Sequence, residues 1–477
     1  MRVTDKSSWW LLGLLAVIVQ IPHSMALWGN GNYPTDICVY MRCADWIQDG
    51  LIMYRDMFDH KGPLVYMIYW CITFLGVYGV WLLDVLILFV TLRLTYRSAR
   101  LFENEHHSMM ISVIIACFIQ APFIDEGGPD WLVLPGTMYC LYIFLKHWQD
   151  HTYCSFSEIC LFSAAVGVCL ATKPNTSAFM IPLALYFAVH LFRNRDWHIF
   201  GRYASAVVVG LGAIAIPVTL WVMRQDNSQE MLEAYLRFNF VSYGAPSWIF
   251  RILSILAVTA ICLPAIYCYV IYARSTERKN WKFAFITVLC LFTLIMNGYL
   301  KNSYPHYLLP AVPVFAMLFI LAWPAIKANK RLHQFTVYFM LFVGVTYMGV
   351  RTYLRLMPFP DEQTKTAAVY INNHIRKGDY VAVIEPDDRS QWNALNPSYS
   401  LAYRLWMQLD AKPASSLFYI PPTLPLEMRQ KSWEQIRERE PSYVVCTNVH
   451  DSVFVSWGYT RLKEINIYND YFIYYKP

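Results

Sequence analysis

Charge is what this chain is shortest of. Asp, Glu, Lys and Arg make up 15% of its 477 residues, where soluble domains carry about 25%. Set against 57% hydrophobic and 17% aromatic residues, the deficit excludes an ordinary soluble domain and points to a membrane protein. Also missing are the P-loop, GxGxxG, GxSxG and HExxH signatures, so nothing marks nucleotide hydrolysis or dinucleotide binding. No CxxC pair or His/Cys cluster suggests a metal site. Most of the twelve cysteines lie in apolar runs, where they behave as small hydrophobes. Cys38 and Cys43 sit five apart in a stretch that reads as helical, a poor separation for a disulfide. The net charge of +6 is modest, and its basic residues collect in short loops, a topology signal rather than a nucleic-acid footprint.

What the chain does have is apolar runs, several of about 17–22 residues, enough to span a hydrocarbon core of about 30 Å. Candidate spans are 9–27, 78–97, 108–124, 131–148, 158–172, 177–192, 203–223, 252–273, 283–299, 306–326 and 334–354. The clusters Arg93–Arg100, Arg193–Arg202, Arg274–Lys282 and Lys327–Arg331 fall on one side with Arg2 and Lys6, which makes that side cytoplasmic. The first apolar run starts like a signal peptide but ends on Trp28 without a small-residue cleavage site, so it reads as a retained span. Gly62–Gly76 is apolar but too short to cross. Counting it as a span would put the Arg93–Arg100 cluster outside, so parity makes it a re-entrant or interfacial helix; the alternative is a true span with another segment miscounted.

The expected architecture is mainly α, with about eleven transmembrane helices and a small C-terminal extracytoplasmic α/β domain. Residues 1–354 form the membrane domain, with an outer loop at 28–77. Residues 355–477 carry charges throughout and strand-like pieces at 380–386, 442–447 and 465–475, with an amphipathic helix at 431–440.

Three groups of ionisable residues stand out. The loop from Pro34 to Tyr69 carries Asp36, Arg42, Asp45, Asp49, Arg55, Asp56, Asp59, His60 and Lys61, of which Asp36, just beyond the first span, and Lys61, near the loop's end, are singled out. Asp36 is placed to cap a helix, to act as a general base towards a substrate hydroxyl, or both. The loop FIDEGGPDWLVLP holds Asp125, Glu126 and Asp130 and no basic residue, and its acids point to a substrate pocket more than to a solvated turn. Lys61, Lys173, Lys301 and His306 all fall at outer ends of spans. Singly each would snorkel; together they favour binding of a phosphate or pyrophosphate. Arg237 and Asn239 lie on an amphipathic outer helix that would lean over the same cavity.

These stretches resemble the GT-C glycosyltransferases, in the bacterial branch similar to protein O-mannosyltransferases and the lipid A aminoarabinose transferase. The likeness runs through Asp36 after the first span, YRDMFDHKGPLVY (54–66), IDEGGPD, TKP (172–174) and PHYLLPAVP (305–313), in order over roughly residues 1–355. It implies a multi-pass enzyme of the bacterial plasma membrane. Such an enzyme moves a sugar from a polyprenyl-phosphate donor to a glycan, lipid or protein acceptor on the extracytoplasmic face. The resemblance makes Asp36 the catalytic base, with Glu126 and Asp130 as assisting acids. It gives the donor phosphate and lipid to Lys61, His60, Lys173, Lys301, His306 and Tyr307, and the acceptor to Asp125 and Arg237. An inverting displacement is expected. The metal requirement varies in the family; Asp36 with Glu126 would be placed to hold a divalent cation such as Mg or Mn, though their spacing does not compel it. The competing reading is a transporter or flippase of lipid-linked sugars, which inverted repeats and matching broken helices would support; neither is found in the sequence. A membrane scaffold would leave the outer-loop acids unexplained.

Overall fold

The structure, a computed structural model, describes all residues except 1–4, 23–34, 120–127, 151, 243–247, 277–280, 300–304, 357–361, 377, 385–400, 419–425, 448–449, 464, 466 and 468–470. The chain divides into two compact units. One comprises 1–27, 77–219 and 245–356; the other joins the outer loop 28–76 to 220–244 and 357–477.

The first unit is helical, and each of the eleven segments expected to span carries a helix, from Asp5–Gln20 and Gly76–Arg100 to Val312–Ala328 and Lys330–Leu356. Among the described residues five helical runs are long and apolar enough to cross a membrane, and four more are apolar but shorter, against the eleven crossings expected. This is a multi-pass membrane protein. Helix Trp197–Gln225 turns Val208, Ile216 and Leu220 outward, as lipid-facing positions require. Without a hydrophobic gradient between helices in lipid, close approach through small residues holds such bundles together. Gly210 packs against the backbone of Cys160 and Ala164 in helix Phe156–Thr172, and Gly344 against Cys117 in helix Glu105–Ile119. Helix Val312–Ala328 is buried along nearly its whole length, so it is the bundle's central element.

The second unit has a five-stranded sheet. Its strands are β1 (Tyr380–Val383), β2 (Lys412–Pro413), β3 (Tyr443–Thr447), β4 (Thr460–Arg461) and β5 (Tyr471–Tyr475), in the order β2-β1-β3-β5-β4. β1 pairs parallel with β2 and β3, and β5 runs antiparallel to β3 and β4, with Val444 opposite Tyr474. The parallel pairs need crossovers, which helices Leu401–Trp406 and Leu426–Arg439 supply. Ala382, Val444, Cys446, Phe454 and Tyr474 form the core on one face. The alternation of apolar residues in 442–447 and the amphipathic 431–440 stretch therefore report real elements.

The outer loop packs into this same unit. Helix Thr35–Gln48 presents Trp46, whose indole N–H donates to Ala411 O at 2.9 Å and whose ring meets Trp406 and Phe418 edge-on. Arg42 donates to Leu409 O, and Asp56 pairs with Arg439 at 3.4 Å. These loop charges are scaffolding. The apolar stretch after Lys61 forms helix Pro63–Ile72 and a 3-10 turn, Thr73–Leu75, that ends at Gly76. Gly76 has φ +56°, a left-handed conformation that suits glycine and breaks the run before helix Gly76–Arg100.

Candidate functional site

In the second unit the chain gathers Asp36, Asp59, His60 and Lys61 around a tight turn. Helix Thr35–Gln48 places Asp36 in its first turn, half-buried, where the carboxylate suits the positive helix end. Its Oδ2 accepts a hydrogen bond from the Tyr40 hydroxyl at 3.2 Å, one turn along. Tyr40 in turn meets Tyr66 and Tyr69 of helix Pro63–Ile72, with ring centroids 6.2 and 5.4 Å away.

The turn before that helix is strained. Tyr54 has φ +69°, a region costly for a bulky residue, and such strain persists only where surroundings fix it. Here the Tyr54 N–H donates to Met57 O at 2.8 Å, and its hydroxyl donates to Lys61 O at 2.8 Å. Asn239, from the π-helical segment Leu232–Ser242, donates to the carbonyl of His60 at 2.7 Å. Phe238 of that segment lies 5.6 Å from the His60 ring. The main chain of His60-Lys61 is thus fixed from two directions.

Asp59 is 2% exposed and richly bonded. Its Oδ2 accepts from the Tyr66 hydroxyl at 2.5 Å, its Oδ1 accepts from the His60 backbone N–H at 2.6 Å, and Oδ1 lies 3.2 Å from His60 Nδ1. Burial alone would raise its carboxyl. The bond and charge of His60, the Lys61 ammonium and the Tyr66 hydroxyl outweigh burial and hold it well below the usual carboxylate range. Burial and the Lys61 charge push the His60 imidazole below its ordinary value, against the pull of Asp59 and Asp36. The charge of Asp36 is thus felt at His60. Lys61 Nζ sits 2.9 Å from His60 Nε2.

A second cluster forms within the first unit. Lys173, which ends helix Phe156–Thr172, pairs with Asp130 at 2.6 Å, and its Nζ lies 3.7 Å from the centre of the Tyr307 ring. Asp130 is held in the short helix Pro129–Leu132, opened by Pro129.

The structure thus brings Asp36, His60 and Lys61 into one neighbourhood, and Asp130, Lys173 and Tyr307 into another. His60, expected to bind the donor, has its two ring nitrogens directed at Lys61 and Asp59. Arg237 is exposed and pairs with Glu233 at 3.2 Å; its neighbour Asn239, not Arg237, reaches the His60 turn. Asp125, Glu126 and Lys301, and the side chain of His306, lie outside the described residues. Among the described residues no group of three or more His, Cys, Asp or Glu could hold a metal ion, and Glu126, the expected partner of Asp36 for one, is outside them. Sequence reasoning gave Asp59, Tyr54 and Tyr66 no role of their own. Their signal was adjacency to the His-Lys pair in YRDMFDHKGPLVY, but the burial that makes Asp59 informative is visible only in the fold.

No family model matches the sequence, and no curated protein matches it. Solved structures do. ArnT from Cupriavidus metallidurans bound to undecaprenyl phosphate superposes with a TM-score of 0.61 at 12% identity, covering 99% of this chain and 98% of that one. Its apo form gives 0.60 at 12% identity over the same shares. The archaeal oligosaccharyltransferase AglB from Archaeoglobus fulgidus, in complex with an inhibitory peptide and a dolichol-phosphate, gives 0.51 at 11% identity. That match covers 94% of this chain and 69% of that one. The chain therefore shares the fold of these structures, the fold that a resemblance to GT-C glycosyltransferases implies.

Proposed function

We propose that this protein is an integral-membrane glycosyltransferase that moves a sugar from a polyprenyl-phosphate donor to an acceptor hydroxyl on the extracytoplasmic face. One observation carries the reading. The chain matches, end to end, a fold solved with undecaprenyl phosphate, and in its own outer loop Asp36 bonds Tyr40, whose ring meets Tyr66, which in turn bonds Asp59 in the turn that carries Lys61.

In the proposed step Asp36 accepts the proton of the acceptor hydroxyl. The freed oxygen attacks the anomeric carbon as the bond from that carbon to the lipid-phosphate oxygen breaks, so configuration inverts. The phosphate leaves with the bonding pair, and the Lys61 ammonium neutralises the charge that develops. Tyr40 orients Asp36 through its hydroxyl. A divalent cation, where one binds, would add charge neutralisation at the leaving phosphate.

The connectivity supports the orientation. Loop helix Thr35–Gln48 bonds to Ala411, so the outer loop and the C-terminal domain lie on one side of the membrane. Ten of the eleven segments expected to span, from 78–97 to 334–354, lie between them, an even number. Were Pro63–Ile72 a further crossing, the two partners would face opposite sides. On this reading Pro63–Ile72 lies along or dips into the outer leaflet, with the N-terminus cytoplasmic and the loop and C-terminal domain extracytoplasmic. Reconstituted protein given polyprenyl-phosphate sugars and cell-surface glycan should release the polyprenyl phosphate and form an inverted product. Transbilayer movement of the donor with no release would favour the flippase instead.

A further inference from the structure

We propose that Asp59 and His60 are positioning residues for Lys61: the buried carboxylate fixes the imidazole, and the imidazole seats the ammonium where it meets the donor phosphate. This rests on the glycosyltransferase reading. A lysine side chain carries about 2 kcal/mol of rotamer entropy, so an unseated ammonium would serve a leaving phosphate poorly. An ammonium has donors only, so the 2.9 Å contact from Lys61 Nζ makes His60 Nε2 an acceptor. The ring proton then resides on Nδ1, 3.2 Å from Asp59 Oδ1, an electrostatic contact that falls short of hydrogen-bond alignment. Asp59 is itself fixed, through the Tyr66 hydroxyl at 2.5 Å and the His60 backbone N–H at 2.6 Å. The main chain around the pair is held by Tyr54 and Asn239 at 2.8 and 2.7 Å. Every link from the Pro63–Ile72 helix to the ammonium is thus a short polar contact.

The arrangement has a chemical consequence. The charged groups acting on His60 are Asp59, Lys61 and Asp36. A second proton on the ring must go to Nε2, turning an acceptor into a donor aimed at an ammonium, and the seat is lost. Acid should therefore release Lys61 while leaving it charged.

The test is binding of undecaprenyl phosphate to the purified full-length protein in detergent, read by intrinsic tryptophan fluorescence near pH 7.5 and pH 5.5, either side of the free imidazole value of about 6.5. Lys61→Met should weaken binding. Asp59→Asn and His60→Ala should each weaken it about tenfold, the loss of one charge-assisted hydrogen bond. Asp59→Asn added to Lys61→Met should cost nothing further, because its effect runs through the ammonium. His60→Gln offers a non-titrating acceptor; it should bind near wild type at pH 7.5 and lose less affinity in acid. The lipid phosphate's own titration is common to all variants, so that difference reads His60. Additive losses in the double variant, or equal acid losses in wild type and His60→Gln, would overturn the proposal, and the second result stands even where Asp59→Asn does not fold. Wild-type protein that fails to bind the lipid at all would instead overturn the glycosyltransferase reading, and this inference with it.

Discussion

Replacing Asp130 by Asn strands a lysine. The Lys173 side chain is 15% exposed and the Asp130 side chain 5%, with 2.6 Å between ammonium and carboxylate, so water screens the pair little. At an effective dielectric of about 20, two unit charges at that distance attract by about 6 kcal/mol, and desolvation consumes most of it. Removing one partner of such a buried pair costs about 3–5 kcal/mol, because the other charge stays without compensation. The face of Tyr307, 3.7 Å from the ammonium, returns about 0.5–2 kcal/mol. Asp130→Asn should destabilise by about 2–4 kcal/mol on this balance and Lys173→Met, which leaves the Asp130 carboxylate without that return, by about 3–5 kcal/mol, and the double variant should recover most of the loss. Tyr307→Phe, which keeps the ring, should change little, and Tyr307→Leu should lower stability. The assay is fluorescence-detected size-exclusion chromatography after heating in detergent. If both single variants melt with wild type, or if the double variant loses the sum, the pair is not a buried, coupled ion pair.

Three further outcomes follow from other contacts. Trp46→Ala removes a fully buried indole and its bond to Ala411, at about 3–5 kcal/mol, and should expose Arg42 to trypsin under conditions where the wild-type loop resists. Gly210→Ala puts a Cβ onto the carbonyl oxygen of Cys160, an atom of the backbone, so two helices must part. It should cost about 1–3 kcal/mol, whereas Gly201→Ala, which meets open space, should be tolerated on the same heated-chromatography assay. Asp59 is held below its unfolded value near 3.8, so its contribution is complete above that pH and is lost as pH falls below it. Asp59→Asn should flatten the acid limb of the melting temperature below about pH 4 and leave its slope near neutrality unchanged; the same acid slope in wild type and variant would refute this.

The sequence was legible where local pattern decides. Apolar run length marked the eleven long helical segments of the first unit, and short strand-like pieces marked β1, β3 and β5. What it could not show was partnership between residues far apart in the chain. Trp46 seeks Ala411, and Asn239 seeks the His60 carbonyl, across 365 and 179 positions. Nor did it show which charges are buried. Asp59 reads like any loop aspartate until its neighbours close over it, whereas Arg237, placed by its helix to bind substrate, stays in an exposed i,i+4 pair with Glu233. Lys173 and Asp130 were each assigned separate tasks, and only the fold shows that they hold each other.

The central claim is that Asp36 activates an acceptor while Lys61 receives the leaving phosphate. Its most direct measurement is the rate of undecaprenyl phosphate release by Asp36→Asn, beside that variant's affinity for undecaprenyl phosphate. The amide keeps the shape and the Tyr40 contact but cannot take a proton. The account predicts that turnover falls by about 10²–10⁴-fold while lipid affinity stays within about twofold of wild type. Turnover that survives the substitution, in protein that still binds the lipid, would contradict it.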